Sequence, residues 1–251
     1  MNAGVVIEQF TRQAASFARL PSHEEATQLL LDMAGVGAGD EVLDVACGPG
    51  MVACAAARRA LRVVGIDLTP AMIEQAKAQQ SRLGLRNLEW HVGEAASLPF
   101  EDGRFDAVIT RYSAHHLPDP DGVLAELLRV AKAGARIAIA DMVLPAAKAA
   151  AYDRMERLRD PSHVRTLARE ELGAAAVAAG LRELRWADYA FSSDLERLMR
   201  ASFPEPGSAD RVRAMFEADV GVDRMGLGLK RTDDVITLIY PVAIVAGVKS
   251  A

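Results

Sequence analysis

Cysteine is scarce: Cys47 and Cys54 are the only two in 251 residues. A pair without further cysteines or a nearby histidine does not complete a structural zinc site, and both are read as reduced thiols of a cytoplasmic protein. Aromatic residues are few, at 5%. No block of Lys or Arg stands out in a chain of net charge −5, so the basic footprint of a nucleic-acid binder is missing and no nucleic-acid partner is expected. No uninterrupted apolar run approaches the ~20 residues that span a bilayer. The opening MNAGVVIEQFTRQAASF lacks the charged start and long apolar stretch of a signal peptide. No repeat, low-complexity stretch or linker divides the chain.

What is present is ordinary globular material, 51% hydrophobic and 25% charged, long enough to bury a full core. The pattern fits a single domain over 1–251. Its first part is a helical segment, 1–34, in which EEATQLLLDMA reads as an amphipathic helix running into the glycine-rich GVGAGD. A core over about 35–143 alternates short apolar strands with helices. EVLDVA is followed by MVACAAARRA, RVVGID by TPAMIEQAKAQQSRLG, and NLEWHVGEA by FDAVITRYS; then come DGVLAELLRVAK and ARIAIADMV. Thr69 stands as N-cap and Pro70 at the first helical position of the second of those helices. Such alternation predicts a parallel sheet covered on both faces.

After Val143 the rhythm changes. AAKAAAYDRMERLRDPSHVRT and EELGAAAVAAG read as helices, and LRELRWADYAF as a sixth strand. SDLERLMRASF and ADRVRAMFEADV read as helices on either side of the breaker PEPG. DDVITLIYPVAIVAGVK is a terminal strand that can pair as a hairpin with MGLGLK. The insertions at about 144–170 and 194–222 are expected to form a lid over a site built on the first half.

Three segments carry chemistry. In EVLDVACGPGM, a strand ends in Asp44 and runs into Gly48 and Gly50, which let backbone N–H groups approach a ligand without a clashing Cβ. The P-loop reading fails because no Gly-Lys-Ser/Thr follows. Asp67 closes the second strand roughly 20 residues further on, the place from which a carboxylate accepts hydrogen bonds from the ribose hydroxyls of an adenosine group; capping of the next helix is the plain alternative. Leu68 and Met72 offer apolar surface for an adenine ring or pack in the core. In VGEAASLPF, Glu94 can accept from the adenine amine and the Ala95 N–H can serve a ring nitrogen, or the segment is a solvated turn.

In this order and spacing the segments resemble the class I S-adenosylmethionine-dependent methyltransferases, and within them the ubiquinone/menaquinone-biosynthesis-like (methyltransferase type 11 domain) group. VLDVACGPG, GIDLTPAMI, GEAASLPF, FDAVITRYSAHHLPD and LLRVAKAGARIAIAD carry the likeness over about 35–143, and RLRDPSHVR is similar to a segment in uncharacterised bacterial members. The resemblance implies an α/β fold: a Rossmann-like, doubly wound, mostly parallel seven-stranded sheet with an antiparallel C-terminal strand and helical lid insertions. It implies S-adenosylmethionine as cofactor, S-adenosylhomocysteine as product and a small-molecule methyl acceptor. It also implies that Asp44, Gly48 and Gly50, with Ala46 and Cys47 in the same turn, shape the methionine-end pocket. Asp67 then serves the ribose, Glu94 and Ala95 the adenine, and Arg111 the amino-acid portion. Ala46 departs from the more usual glycine, Glu94 from aspartate, and Ala133 and Ala135 from the Pro and a Gly of the usual turn.

Methyl transfer from a sulfonium depends mainly on alignment. A hydroxyl, acidic carbon or protonated amine additionally needs a base, for which histidine is the default. RYSAHHLPD sets Tyr112, His115 and His116 beyond the fourth strand, where adjacent side chains are expected to diverge so that one of the two histidines points inward. His163 in DPSHVR is the third candidate; each of the three is equally readable as a structural histidine, whereas His23 and His91 fall away from these motifs and are read as structural. Adjacent histidines seldom make a metal site, so no metal is expected. Arg159, His163 and Arg165 either contact an acceptor carboxylate or phosphate or form solvated salt bridges. Asp119 and Asp121 are read as helix caps, and Asp141 as decoration of the same face. RYSAHH is not the Asn/Asp-Pro-Pro-Tyr type, and there is no Pro-Cys nucleophile, which leaves a small acceptor methylated on C, O or N. A cofactor-binding protein of the same fold with non-methylating chemistry, and a tRNA or protein methyltransferase, are the alternatives. The sequence leaves a homodimer open.

Overall fold

The computed structural model describes residues 3–17 and 24–250. Helices α1 (Ala3–Phe17) and α2 (Glu24–Met33) precede β1 (Glu41–Val45), α3 (Met51–Ala56), β2 (Arg62–Asp67), α4 (Pro70–Leu83), β3 (Leu88–Val92) and β4 (Phe105–Arg111). A 3-10 turn at Ala114–His116, α5 (Pro120–Val130) and β5 (Ala131–Met142) complete the alternating part. Then follow α6 (Ala146–Arg159), α7 (Arg169–Ala179), β6 (Leu181–Asp194), α8 (Leu195–Ala201), α9 (Ser208–Asp219), β7 (Lys230–Thr232) and β8 (Val235–Lys249).

The sheet order is β3-β2-β1-β4-β5-β8-β6, with β7 paired to β8. Strands β1 to β5 pair in parallel, and β8 runs antiparallel to β5, β6 and β7. The fold is therefore the expected Rossmann-like doubly wound sheet. Strand β1 pairs β2 on one side and β4 on the other, so chain progression reverses there, and the crevice beyond the carboxyl ends of β1 and β4 is where such sheets bind ligands. The apolar runs of β1, β2 and β4 are buried on both faces, as a parallel sheet requires. One face packs Leu30, Leu31 and the Ala53–Ala57 cluster of α2 and α3 against Val42, Ile109 and Ile244. The other packs Leu124, Leu127 and Leu128 of α5 and Leu172 of α7 against Leu43, Val108 and Ile137. A third cluster joins α6, α8, α9 and the β8 hairpin through Tyr152, Met155, Met199, Phe216 and Leu238.

The structure differs from expectation in three places. The sheet has eight strands, not seven, because KRT at 230–232 pairs with 235–237; the hairpin is real but starts at the last residue of MGLGLK. Thr69 occupies the N-cap of α4 with Pro70 after it, yet its side chain caps nothing in the helix, because its hydroxyl turns to Asp67. Strand β5 begins at Ala131, earlier than expected, because that residue pairs with Phe105 before the register shifts. No helix among the described residues is long and apolar enough to cross a membrane. His23 lies outside the described residues.

Candidate active site

After Val45 the chain turns sharply, with positive φ at Ala46 (54°), Gly48 (53°) and Gly50 (80°). The Cys47 N–H donates to the Ile66 carbonyl at 3.0 Å, and the Gly48 N–H to Asp67 Oδ2 at 2.8 Å, so the turn is tied to the end of β2. Asp67 Oδ1 accepts from the Thr69 N–H at 2.8 Å, and the Thr69 hydroxyl also engages this carboxylate. Burial pushes the Asp67 carboxyl up, and these donors pull it part of the way back. A carboxylate offers about four lone-pair directions. Three are taken, so one can accept a ligand hydroxyl directly, and a second becomes available if the Thr69 hydroxyl rotates.

The two glycines differ in what surrounds them. A Cβ on Gly48 would meet nothing within 4 Å, whereas one on Gly50 would lie 2.7 Å from the Trp90 ring and 2.9 Å from the Ala76 Cβ. Gly48 borders open space; Gly50 is where α3 begins against packed side chains.

Asp44, on β1, is 2% exposed, and its Oδ2 has no hydrogen-bond partner among the described residues. Burial pushes its carboxyl up to about 7, against the opposing pull of Arg111. Arg111 ends β4, donates from Nη1 to the Thr27 hydroxyl at 2.9 Å, and lies 5.2 Å over the Tyr112 ring. An unpartnered buried acceptor beside a cation is suited to a zwitterionic α-amino acid. Cys47 and Cys54 are free and buried, and burial pushes both thiols up, Cys54 to about 11, so neither is poised as a thiolate.

Along the rim, Leu68 is half-buried and presents surface, whereas Met72 is 2% exposed and already packed. Glu94 is exposed in the turn closed by the Ser97 N–H, which donates to the Glu94 carbonyl at 3.2 Å. Ala95 packs against the α5-side core. His91 sits beside Glu89, 2.7 Å away, at the edge of the sheet and away from the other histidines.

His115 and His116 do not diverge as an extended or open turn would make them. The tight 3-10 turn brings their ring centroids to 4.1 Å, and His163 joins them at 5.7 and 6.4 Å. His115 Nδ1 lies 2.6 Å from Asp141 Oδ1 at the end of β5, and Asp141 also accepts from the N–H groups of Ala114 at 2.7 Å and Met142 at 2.7 Å. Burial opposes the His115 charge, but Asp141 outweighs it and the imidazole is held above its ordinary value. Burial likewise opposes the Asp141 charge, and His115 outweighs it, so this carboxyl is held low.

His116 behaves oppositely. Burial and the neighbouring His115 pull it down to about 4. Its Nδ1 is 3.0 Å from the Ser162 carbonyl and 3.1 Å from Ser162 Oγ, whose own hydrogen goes to Asp160 Oδ1 at 2.5 Å. Both partners can only accept, so Nδ1 carries the proton and Nε2 keeps a lone pair. His163 is 1% exposed with Nε2 bonded to Asp153 at 2.8 Å.

The DPSHVR segment docks directly on this turn: the N–H groups of Val164 and Arg165 donate to the His115 carbonyl at 2.9 and 3.3 Å. From the other side, Phe10 of α1 meets His116 edge-on at 5.0 Å, and Gln13 Nε2 donates to Asp160 Oδ2 at 3.1 Å. Tyr112 points to β6, its hydroxyl 2.6 Å from that of Tyr189. Arg159 is buried on Glu156, while Arg165 pairs with exposed Glu171, so neither is an unpaired anion receptor. Asp119 caps α5 through the Gly122 N–H at 3.0 Å. No group of three metal ligands occurs among the described residues.

Sequence reasoning gave Asp141 too little weight, although an acidic residue ending IAIAD was a usable signal. Gln13, Ser162, Asp160 and Tyr189 carried none.

Residues 43–139 match the methyltransferase domain family. The uncharacterized methyltransferase YcgJ of Bacillus subtilis is 35% identical over 139 residues, 55% of each chain. Its crystal structure superposes with a TM-score of 0.84 at 25% identity, covering 91% of this chain and all (100%) of that one. A putative methyltransferase from Bacillus halodurans gives a TM-score of 0.80 at 26% identity over 90% and 100% of the two chains. A SAM-dependent methyltransferase from Aquifex aeolicus gives 0.51 at 28% identity over 62% and 79%. The chain spans about half the length of the curated relatives it matches.

Proposed function

We propose that this protein is an S-adenosylmethionine-dependent methyltransferase acting on a small organic acceptor. The observation that carries the reading is the 2.8 Å bond from the Gly48 N–H to Asp67 Oδ2, which sets the glycine turn and the ribose-directed carboxylate as two sides of one crevice at the switch between β1 and β4. The residues present fit the cofactor. The unpartnered Asp44 Oδ2 suits an α-ammonium, Arg111 the adjoining carboxylate, and the space over Gly48 the chain between them. Asp67 has acceptor capacity left for the ribose, Leu68 borders the adenine, and the segment at Glu94 and Ala95 lies beside it, Gly93 being tied to the Asp67 carbonyl at 3.0 Å. Ala46, Cys47 and Gly50 set the turn, and Met72 backs it from the core.

When bound, S-adenosylmethionine supplies an electrophilic methyl on a sulfonium whose departing thioether is neutral. The chain aligns the acceptor and takes its proton. His116 is the base: Nδ1–H is fixed on Ser162, and Nε2 is free to accept. His115, held on Asp141, which favours its charged form, presents a donor beside it. Two imidazoles whose surroundings push them apart make a base and a donor from one residue type. Tyr112 lines the same end through its pair with Tyr189, and the helices at about 144–170 and 194–222 act as the lid.

Calorimetry with S-adenosylhomocysteine tests this reading. Asp67→Ala removes a charge-assisted acceptor and the anchor of Gly48, and is expected to weaken binding at least about tenfold. Wild-type protein that binds neither cofactor nor product would sink the assignment.

A further inference from the structure

Four carboxylates, Asp141, Asp153, Glu156 and Asp160, are buried around the three histidines. Asp141 is matched by His115 and Asp153 by Arg157, whose Nη2 lies 3.8 Å from its Oδ2, while His163 meets Asp153 through Nε2. Glu156 and Asp160 have only Arg159 between them, and its guanidinium is bonded to Glu156 through Nε at 2.8 Å and through Nη2. Every direct partner of Asp160 is a neutral dipole: the Ser162 N–H at 2.9 Å, the Ser162 hydroxyl at 2.5 Å and the Gln13 amide at 3.1 Å. One negative charge in the lid therefore lacks a cation.

The same wall holds acceptors with nothing to accept. Asp160 can only accept, so Gln13 must turn its NH₂ toward it, leaving Oε1 without a partner in a side chain that is 0% exposed. His163 spends Nε2 on Asp153, and its Nδ1, at 1% residue exposure, has no partner either. The Tyr240 hydroxyl, on a ring stacked 4.9 Å from Phe191, is likewise unpartnered. Buried polar groups in native proteins are satisfied with few exceptions, and here three of the four exceptions among the described residues share a neighbourhood with an uncompensated charge, the fourth being Asp44 on β1.

We propose that this lid wall binds the methyl acceptor as an ammonium ion, so that the acceptor is a small amine. The inference rests on the methyltransferase reading and narrows its substrate. An ammonium brings both things the wall lacks: a positive charge for Asp160 and N–H donors for the Gln13 and His163 acceptors. A carboxylate or phosphate would meet like charge, and an alcohol would supply a donor but leave the charge uncompensated. The rings of Phe10 and Tyr152, which meet His116 and His163 at 5.0 and 5.9 Å, add faces that attract cations. His116 belongs to the same network through Ser162. Its Nε2 lone pair would take one proton from R–NH₃⁺, leaving R–NH₂ with the electron pair for a new N–C bond, which would form as the methyl's bond to sulfur breaks and the neutral thioether leaves.

The test uses the full chain saturated with S-adenosylhomocysteine and three probes with short alkyl chains, propylammonium, butyrate and 1-butanol, at matched concentration and ionic strength. Calorimetry and the midpoint of thermal unfolding are read together. Propylammonium is expected to bind about tenfold tighter than 1-butanol, the worth of one hydrogen bond to a charged group, and butyrate not at all. Asp160→Asn should erase that preference. Gln13→Met, which keeps volume and lies on a surface helix, should weaken propylammonium binding in the same direction should the first variant fail to fold. Binding of S-adenosylhomocysteine with no preference for propylammonium over the other two overturns the amine assignment alone. Absence of S-adenosylhomocysteine binding overturns the methyltransferase reading beneath it.

Discussion

His115 and His116 adjoin in sequence and stand 4.1 Å apart ring to ring, yet their Nδ1 atoms face opposite kinds of partner: a carboxylate on β5 for His115, the carbonyl and hydroxyl of Ser162 for His116. At that distance a charge on one ring disfavours a charge on the other, and Asp141 favours His115 as the ring that takes it first. NMR titration of the imidazole nitrogens is expected to show one transition above the ordinary 6.5 and another near 4, as macroscopic steps of a coupled pair. Two coincident transitions near 6.5 would remove the division of labour between them.

The His115–Asp141 pair also predicts a pH window for stability. His115 is raised in the folded state, so its contribution is complete below 6.5 and is lost as pH climbs through the folded value. Asp141 is lowered, so its contribution is complete above 3.8 and is lost as pH falls through the folded value. Asp141→Asn should therefore cost most between about pH 4 and 6.5, on the order of 3 kcal/mol for a broken buried pair, and less in alkali. Urea unfolding across pH measures it, and a cost independent of pH would show that Asp141 acts only as an acceptor for the backbone N–H groups of Ala114 and Met142.

Asp44 carries the opposite sign. Its folded value of about 7 means that the folded state holds a proton the unfolded chain has already released, so stability falls as pH rises from 3.8 to about 7. Asp44→Asn should flatten that slope. A ligand ammonium needs the ionised form, so the affinity for S-adenosylhomocysteine should rise about tenfold per pH unit up to about 7, then level off. Binding should also release protons, seen as a buffer-dependent calorimetric heat. Equal affinity at pH 6 and pH 8, with no proton release, would detach Asp44 from the amino group.

The parts of this site that were legible in the sequence are those made within one βαβ unit, β1–α3–β2. Asp44, the glycine turn and Asp67 lie at strand ends that the apolar runs of β1 and β2 mark out, and strand ends are where a parallel sheet exposes backbone to ligand. The segments at about 144–170 and 194–222 were legible only as helices. Gln13 and Asp160 are 147 residues apart, and nothing in either segment's periodicity announces the other. Strand β7 escaped for a different reason: its three residues, Lys230 to Thr232, are all exposed, so no apolar alternation marks them. The error over the histidines was one of local geometry, since an open turn would have splayed the rings that the 3-10 turn gathers.

The two glycines of the turn should separate stability from binding. Both have positive φ, so alanine at either position costs about 1–2 kcal/mol of backbone strain. At Gly50 the new methyl would also sit 2.7 Å from Trp90 and 2.9 Å from Ala76. Trp90 cannot swing away freely because its Nε1 donates to Gln80 at 2.7 Å, so overpacking should add about 1–3 kcal/mol. At Gly48 the methyl meets no protein atom within 4 Å. On the proposed placement of the methionine end, it would displace ligand and not protein. Gly50→Ala is thus expected to lower the urea midpoint more than Gly48→Ala does, while Gly48→Ala loses at least as much affinity for S-adenosylhomocysteine despite the smaller fold cost. Paired unfolding curves and calorimetry on the two variants decide it. Wild-type affinity in Gly48→Ala would mean that the space above this glycine is not where the methionine end lies.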